Sequence, residues 1–158
     1  MTSRVAIAIG SNLGNRDAAI AFAVSRLSGI ISDLRASAVI ETWPVGEGTD
    51  EQNLYLNAVV VGETVLGARQ LLEALLGIEA AFGRERPFRN APRTLDLDLI
   101  LLGDAVVVES DLEVPHPRFR ERFFVLGPLA ELAPEMVDPV SGMTVGQLLR
   151  ALLRDETR

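Results

Sequence analysis

The chain has 158 residues, 48% of them apolar and 23% charged, a composition that suits one globular domain spanning 1–158 and argues against disorder. It has no cysteine and one histidine, so thiolate chemistry, disulfides and a histidine-rich zinc site are excluded. Its net charge of −7 argues against nonspecific nucleic-acid binding, and its apolar runs are strand-sized, too short for a membrane span or a secretory signal. The expectation is a soluble cytoplasmic protein with no nucleic-acid or membrane partner.

In chain order, "RVAIAIG" (4–10) is β-branched, apolar and ended by glycine, which predicts a strand. The turn-forming "SNLGNR" follows. Lacking a lysine and the Walker spacing, it reads as turn and cap chemistry rather than a phosphate loop. Residues 16–30 carry apolar residues at helical spacing. Residues 33–42 read as a second strand. The stretch "WPVGEGTDEQN" (43–53) has no core periodicity and predicts a long functional loop. A third strand is expected over 54–64 and a second long helix over 67–83. The arginine-rich, proline-containing 84–92 reads as a loop, and 93–103 as the fourth strand. Gly103-Asp104 signals a turn, so 104–110 could extend the sheet as a hairpin. Residues 114–122 are extended or turn-like because of their prolines, and 122–134 and 144–155 predict shorter helices. The order β-α-β-β-α-β predicts an α+β, ferredoxin-like antiparallel sheet with two helices on one face and extra C-terminal helices.

The chemistry concentrates in "RTLDLDLILLG". Asp96 and Asp98 interrupt a leucine-rich strand and, two residues apart, share one face, while Leu95, Leu97 and Leu99 face the other. Two neighbouring carboxylates repel unless a cation lies between them, and oxygen ligands at this spacing suit Mg²⁺ with water and phosphate. All fifteen basic residues are arginine, which excludes any lysine-dependent mechanism. Arg84, Arg86, Arg89 and Arg93 precede the aspartates, and Arg118, Arg120 and Arg122 form a second cluster. Local cations on an acidic chain point to a small anionic ligand, and a phosphate chain is one that both carboxylate-bound metal and guanidinium can share. His116, between prolines and near Arg118 and Arg122, fits a phosphate donor. Asn57 breaks an apolar strand and needs hydrogen-bond partners; with Tyr55 on the same face it suits a flat heteroaromatic, with Phe124 available to stack. These residues leave open a nucleotidyltransferase, which also uses paired aspartates on a sheet, and a non-catalytic ferredoxin-like binding module.

Taken together, "AIGSNLGNR", "ETWPVG", "YLNAVV", "IEAAFGRER", "PRTLDLDLILLG", "VPHPR" and "RFFVLGPLAELAP" closely resemble the 6-hydroxymethyl-7,8-dihydropterin pyrophosphokinase family, in order from about residue 4 to 134. The resemblance implies a ferredoxin-like enzyme that transfers pyrophosphate from ATP to the pterin hydroxymethyl group in folate biosynthesis. AMP is released, two Mg²⁺ ions are used, and loops close over the substrates. It implies that Asp96 and Asp98 hold the metal and that Arg84 and Arg93 engage the phosphates, with Arg86 and Arg89 in the same loop. His116 and Arg122 would contact ATP, and Glu79 and Leu99 would lie at the nucleotide. Tyr55, Asn57 and Phe124 would bind the pterin, with the chain around Thr42 and Val45. The chain departs from some members at Asn90, where they carry tryptophan, and at Leu76, where they carry glutamine. A monomer acting on small molecules is expected.

Overall fold

The computed structural model describes residues 1–12, 16–42, 55–84 and 95–156, with the side chains of Arg16, Arg84 and Glu156 left out. Strand β1 (Ser3–Ser11) occupies the middle of the molecule, and its alternation explains the layers. Val5, Ile7 and Ile9 point to one face and Ala6 and Ala8 to the other, and all are buried. Helix α1 (Arg16–Leu27) and helix α2 (Ala68–Arg84) cover the first face. Helix α1 buries Ala19, Ile20, Ala23 and Leu27, and α2 buries Leu71, Leu75 and Ile78, each set at the three-to-four spacing of one helical stripe. The helix α2 runs through Arg84, so that residue ends a helix rather than opening the loop expected at 84–92.

The sheet has the order β2-β4-β1-β5, antiparallel throughout, with β2 (Ser32–Ala36), β4 (Tyr55–Thr64) and β5 (Leu95–Leu102). This is the ferredoxin-like arrangement that the sequence predicts. The expected single strand over 33–42 is divided: β2 ends at Ala36, and a separate β3 (Ile40–Thr42) pairs with the other end of β4. Ser37 marks the break, where its N–H donates to the Val59 carbonyl and its hydroxyl accepts from the Val59 N–H. Nor does 104–110 extend the main sheet. β6 (Val107–Glu109) pairs only with β7 (Leu112–Val114) in a two-stranded sheet, held to α2 by the ion pairs of Arg69 with Asp111 and Glu109.

The C-terminal elements close part of the second face. A 3₁₀ turn (Phe119–Glu121), α3 (Phe123–Leu132) and α4 (Val145–Glu156) bury Phe119, Val125, Leu126, Leu129, Val145 and Leu148 against Ala6, Val59, Val61 and Leu101. The connection between α3 and α4 is fixed by Asp138, which is fully buried and bonded by Arg120, Ser141 and the Val140 N–H. Burial pushes its carboxyl up, but those bonds prevail and hold it below the usual carboxylate range. Removing one partner of such a buried pair costs roughly 3–5 kcal/mol.

Gly62 lies close against the chain that leads from α1 into β2. A Cβ there would collide with Ile31 Cγ2 and sit 2.6 Å from the Ser32 carbonyl oxygen. Gly62→Ala should therefore lower stability by about 1–3 kcal/mol, the usual cost of overpacking. Thermal or urea unfolding of the two proteins checks this, and an unchanged midpoint would show that the 31–32 segment moves aside freely.

Candidate active site

The register of β1 against its two neighbours builds the site. Gly10 pairs with Asn57 on β4 and with Asp96 on β5, and Ala8 pairs with Asp98. Residues paired across a sheet share a face, so Asp96, Gly10 and Asn57 form one row. The strands of Asp96 and Asn57 lie about 9–10 Å apart, two strand spacings. Between them stands a residue with no side chain. The carboxylate end and the amide end of the row therefore communicate over bare backbone.

The leucine alternation on β5 behaves as expected. Leu95, Leu97 and Leu99 are buried in the helix-side core, while Asp96 and Asp98 are exposed on the other face. The carboxylates thus avoid the large desolvation cost of a buried ion. Beyond them the parity reverses, because Ile100 is an extra residue between the pairs Ile7–Leu99 and Ala6–Leu101. The bulge leaves the Ile100 carbonyl free to accept the His116 N–H at 3.0 Å, anchoring the segment after β7 beside the aspartates.

A cleft of about 600 Å³ opens on this face, lined by Asp96, Asp98, Gly10, Thr42, Tyr55, Asn57, Arg118, Glu121, Arg122 and Phe124. Of the residues singled out from sequence, it gathers both aspartates, Thr42, Tyr55, Asn57, Phe124 and Arg122. The Asn57 amide donates to the Thr42 hydroxyl at 2.7 Å, a side-chain partner on the neighbouring strand that fixes its orientation. The Arg122 guanidinium lies 5.7 Å from the centroid of the Phe124 ring, linking the cationic and aromatic walls. Glu79 and Leu99 lie outside the lining. Glu79 Oε2 accepts the Leu97 N–H at 2.7 Å, on the strand residue between the two aspartates, and the Leu99 side chain is buried. Val45, Arg86, Arg89, Asn90 and Arg93 are outside the described residues, as is the side chain of Arg84.

Sequence reasoning missed Gly10, Ala8 and Glu121. The first two look like ordinary strand residues, and only cross-strand register reveals them as the floor. Arg118, which the sequence offers as part of the second arginine cluster beside His116, also lines the cleft.

Two carboxylates on one exposed face give hard oxygen donors suited to Mg²⁺. Among the described residues no third histidine or acid completes a metal cluster, so the remaining ligands would be water and ligand oxygens. This is the usual state of a magnesium site that also binds phosphate.

His116 is half-buried. Its Nδ1 accepts the Arg118 N–H at 3.1 Å, which leaves Nε2 as the nitrogen able to donate. Burial pulls its pKa below 6.5; Asp98 acts to raise it and Arg122 to lower it further. The unfolded chain would then take up a proton first as pH falls. The contribution of His116 to stability is complete above about pH 6.5 and is lost as pH drops toward the folded value. The chain has one histidine, so its imidazole signal in an NMR titration is unambiguous. A folded-state pKa below 6.5 is expected, and a value above it would mean that Asp98 outweighs burial.

The family model for 7,8-dihydro-6-hydroxymethylpterin-pyrophosphokinase (HPPK) matches residues 6–134. A 2-amino-4-hydroxy-6-hydroxymethyldihydropteridine pyrophosphokinase of Methylorubrum extorquens is 41% identical over 152 residues, covering 95% of this chain and 94% of its own. One from Bacillus subtilis is 40% identical over 132 residues, covering 82% and 78%. Among solved structures, Plasmodium falciparum HPPK-DHPS superposes with a TM-score of 0.76 at 14% identity. It matches over 98% of this chain but only 45% of its own, and speaks for the fold alone.

Proposed function

The chain belongs to the 7,8-dihydro-6-hydroxymethylpterin-pyrophosphokinase family, and from that premise we propose that its cleft transfers pyrophosphate from ATP to the hydroxymethyl group of 6-hydroxymethyl-7,8-dihydropterin. The observation that carries the reading is the row Asp96–Gly10–Asn57. It brings a carboxylate end and an amide end into one cleft, with a gap between them that a side chain would fill, which suits a phosphate chain at one end and a heteroaromatic ring at the other.

Each residue then has a task. Thr42 orients the Asn57 amide, which reads the edge of the pterin ring, and Tyr55 and Phe124 flank the ring faces. The hydroxymethyl arm crosses above Gly10 toward Asp96. Arg118 and Arg122 meet the phosphate oxygens, supported by His116 and by Arg84, Arg86, Arg89 and Arg93. Glu79 holds the β5 edge beside the aspartates, where the nucleotide lies against the backbone of Leu99. Asp96 and Asp98 would hold two Mg²⁺ ions, which when bound neutralise phosphate charge. The pterin hydroxyl oxygen bonds the β-phosphorus, and its proton is released. The bond from that phosphorus to the oxygen bridging to the α-phosphorus breaks, and AMP leaves with the electron pair. Alignment and fixed charge supply the acceleration. The working unit is a monomer of one domain, residues 1–158, acting in the cytoplasm on small molecules. No helix among the described residues is long and apolar enough to cross a membrane.

Incubation with Mg-ATP and the pterin, followed by identification of the nucleotide product, tests the reaction. AMP with a pyrophosphorylated pterin is expected; ADP would indicate an ordinary kinase, and free pyrophosphate a nucleotidyltransferase. Asp96→Ala and Asp98→Ala should each lower turnover at least about 1,000-fold with the fold intact, since charge stabilisation of this type is worth several kcal/mol. An active double mutant would refute the metal assignment.

Gly10 offers an independent test. A Cβ there meets Asn57 Oδ1 at 3.8 Å, an ordinary contact, so alanine fits the apo protein. The branched side chain of Gly10→Val would fill the crossing point, and pterin binding should weaken at least about tenfold, roughly 1.4 kcal/mol. Titration calorimetry measures this, and unchanged affinity would place the pterin elsewhere.

A further inference from the structure

Arg118, Arg120 and Arg122 alternate along the chain, yet they do not share a task. Arg118 and Arg122 line the cleft, with Glu121. Arg120 turns away from it, into the C-terminal layer. Its Nε donates to Asp138 Oδ2 at 2.6 Å and its Nη2 to Oδ1 at 3.0 Å, a two-pronged fork. The guanidinium also lies 4.8 Å from the ring centroid of Phe119, which is wholly buried. Asp138 is itself immobilised. It accepts from the Val140 N–H at 3.0 Å and the Ser141 hydroxyl at 2.8 Å, and its own N–H and carbonyl bond to Met143 and Gly142.

This anchor lies behind a weak element. The 3₁₀ turn Phe119–Glu121 has no side-chain cap at Arg118. Its backbone bonds are long, 3.5 Å from Phe119 to His116, 3.2 Å from Glu121 to Arg118 and 3.3 Å from Arg122 to Phe119. Such backbone bonds alone hold the turn weakly, so its orientation is left to its side-chain anchors, buried Phe119 and the Arg120 fork, while it carries two cleft arginines on its flanks. A third free guanidinium between them would add repulsion that Asp138 removes.

We infer that Asp138, acting through Arg120, is a positioning residue that fixes the 3₁₀ turn so that Arg118 and Arg122 are presented together to the polyphosphate. This inference rests on reading the cleft as the ATP and pterin site. Asp138 is fully buried and absent from the cleft lining, so it touches no substrate. Thr42, Tyr55 and Asn57 stand on β3 and β4, outside the brace, and Phe124, the remaining ring contact, is carried by α3, which Val125, Leu126 and Leu129 seat in the core independently of Asp138. The defect should therefore fall on the nucleotide and spare the pterin.

The test compares the full chain with Asp138→Asn and Arg120→Lys, each confirmed as folded by circular dichroism. It measures AMP formation against Mg-ATP concentration and, separately, equilibrium binding of the pterin. In Asp138→Asn the KM for Mg-ATP should rise at least tenfold, while pterin affinity stays within threefold. Arg120→Lys keeps the charge but loses the fork, and should raise the same KM less. If Asp138→Asn does not fold, Arg120→Lys decides alone. An unmoved KM in folded variants, or equal weakening of both ligands, overturns the inference and leaves the pair merely structural. A wild-type chain that forms no AMP overturns the reading beneath the inference, and the inference with it.

Discussion

The pairing of β1 with β4 on one side and β5 on the other is the constraint on which the molecule depends. Because β1 lies between them, its register fixes which residues of β4 and β5 come level. A slip of one residue would send every side chain to the opposite face. The apolar alternation of β1 forbids that slip: Ile7 and Ile9 would leave the helix-side core for the other face. The same hydrophobic energy that closes the core thus aligns Asp96 with Asn57, although neither contributes to that core. The row inherits its precision from leucine and isoleucine side chains packed on the opposite face of the sheet.

The second face of the sheet is used twice. At the end carrying Ala6, Val61 and Leu101 it is covered by the C-terminal helices, and at the end carrying Gly10, Asn57 and Asp96 it is open as the cleft. Ala8 and Val125 belong to both regions. The boundary between them is the 3₁₀ turn and the start of α3, which brings Arg118, Arg122 and Phe124 to the rim. A helix seated farther along the sheet would bury the aspartates at a severe desolvation cost. Seated farther back, it would leave the arginines out of reach.

Much of this was legible from the chain. The β1 and β5 alternation, the stripes of α1 and α2, and the pairing of acids with arginines follow from local periodicity and charge. What local pattern cannot supply is registry between distant strands. Gly10 acquires meaning only from Asn57 and Asp96, forty-seven and eighty-six positions away. The break between β2 and β3 escaped notice because "ASAVIET" is apolar enough to continue a strand; only the Ser37–Val59 bonds show where pairing ends. Arg120 escaped for a different reason. By type and spacing it matches Arg118 and Arg122, and its role is set by a buried acid eighteen residues later. The Gly103-Asp104 turn is where the sequence places it, but after the left-handed Gly103 the 104–110 stretch enters a separate hairpin with β7 instead of extending the main sheet.

The charge of the cleft bears on what can enter it. Among the described lining residues three carboxylates, Asp96, Asp98 and Glu121, face two guanidiniums, Arg118 and Arg122. The whole chain carries a net charge of −7. A free triphosphate would meet little net attraction from these walls, and at the aspartates it would meet repulsion. The balance would change with divalent cations on the nucleotide, because the carboxylates would then serve as ligands and the guanidiniums would be left to the outer oxygens. On the proposed reading, the paired aspartates are more than a metal holder. They make the metal complex, rather than the bare nucleotide, the form of ATP that the acidic protein accepts.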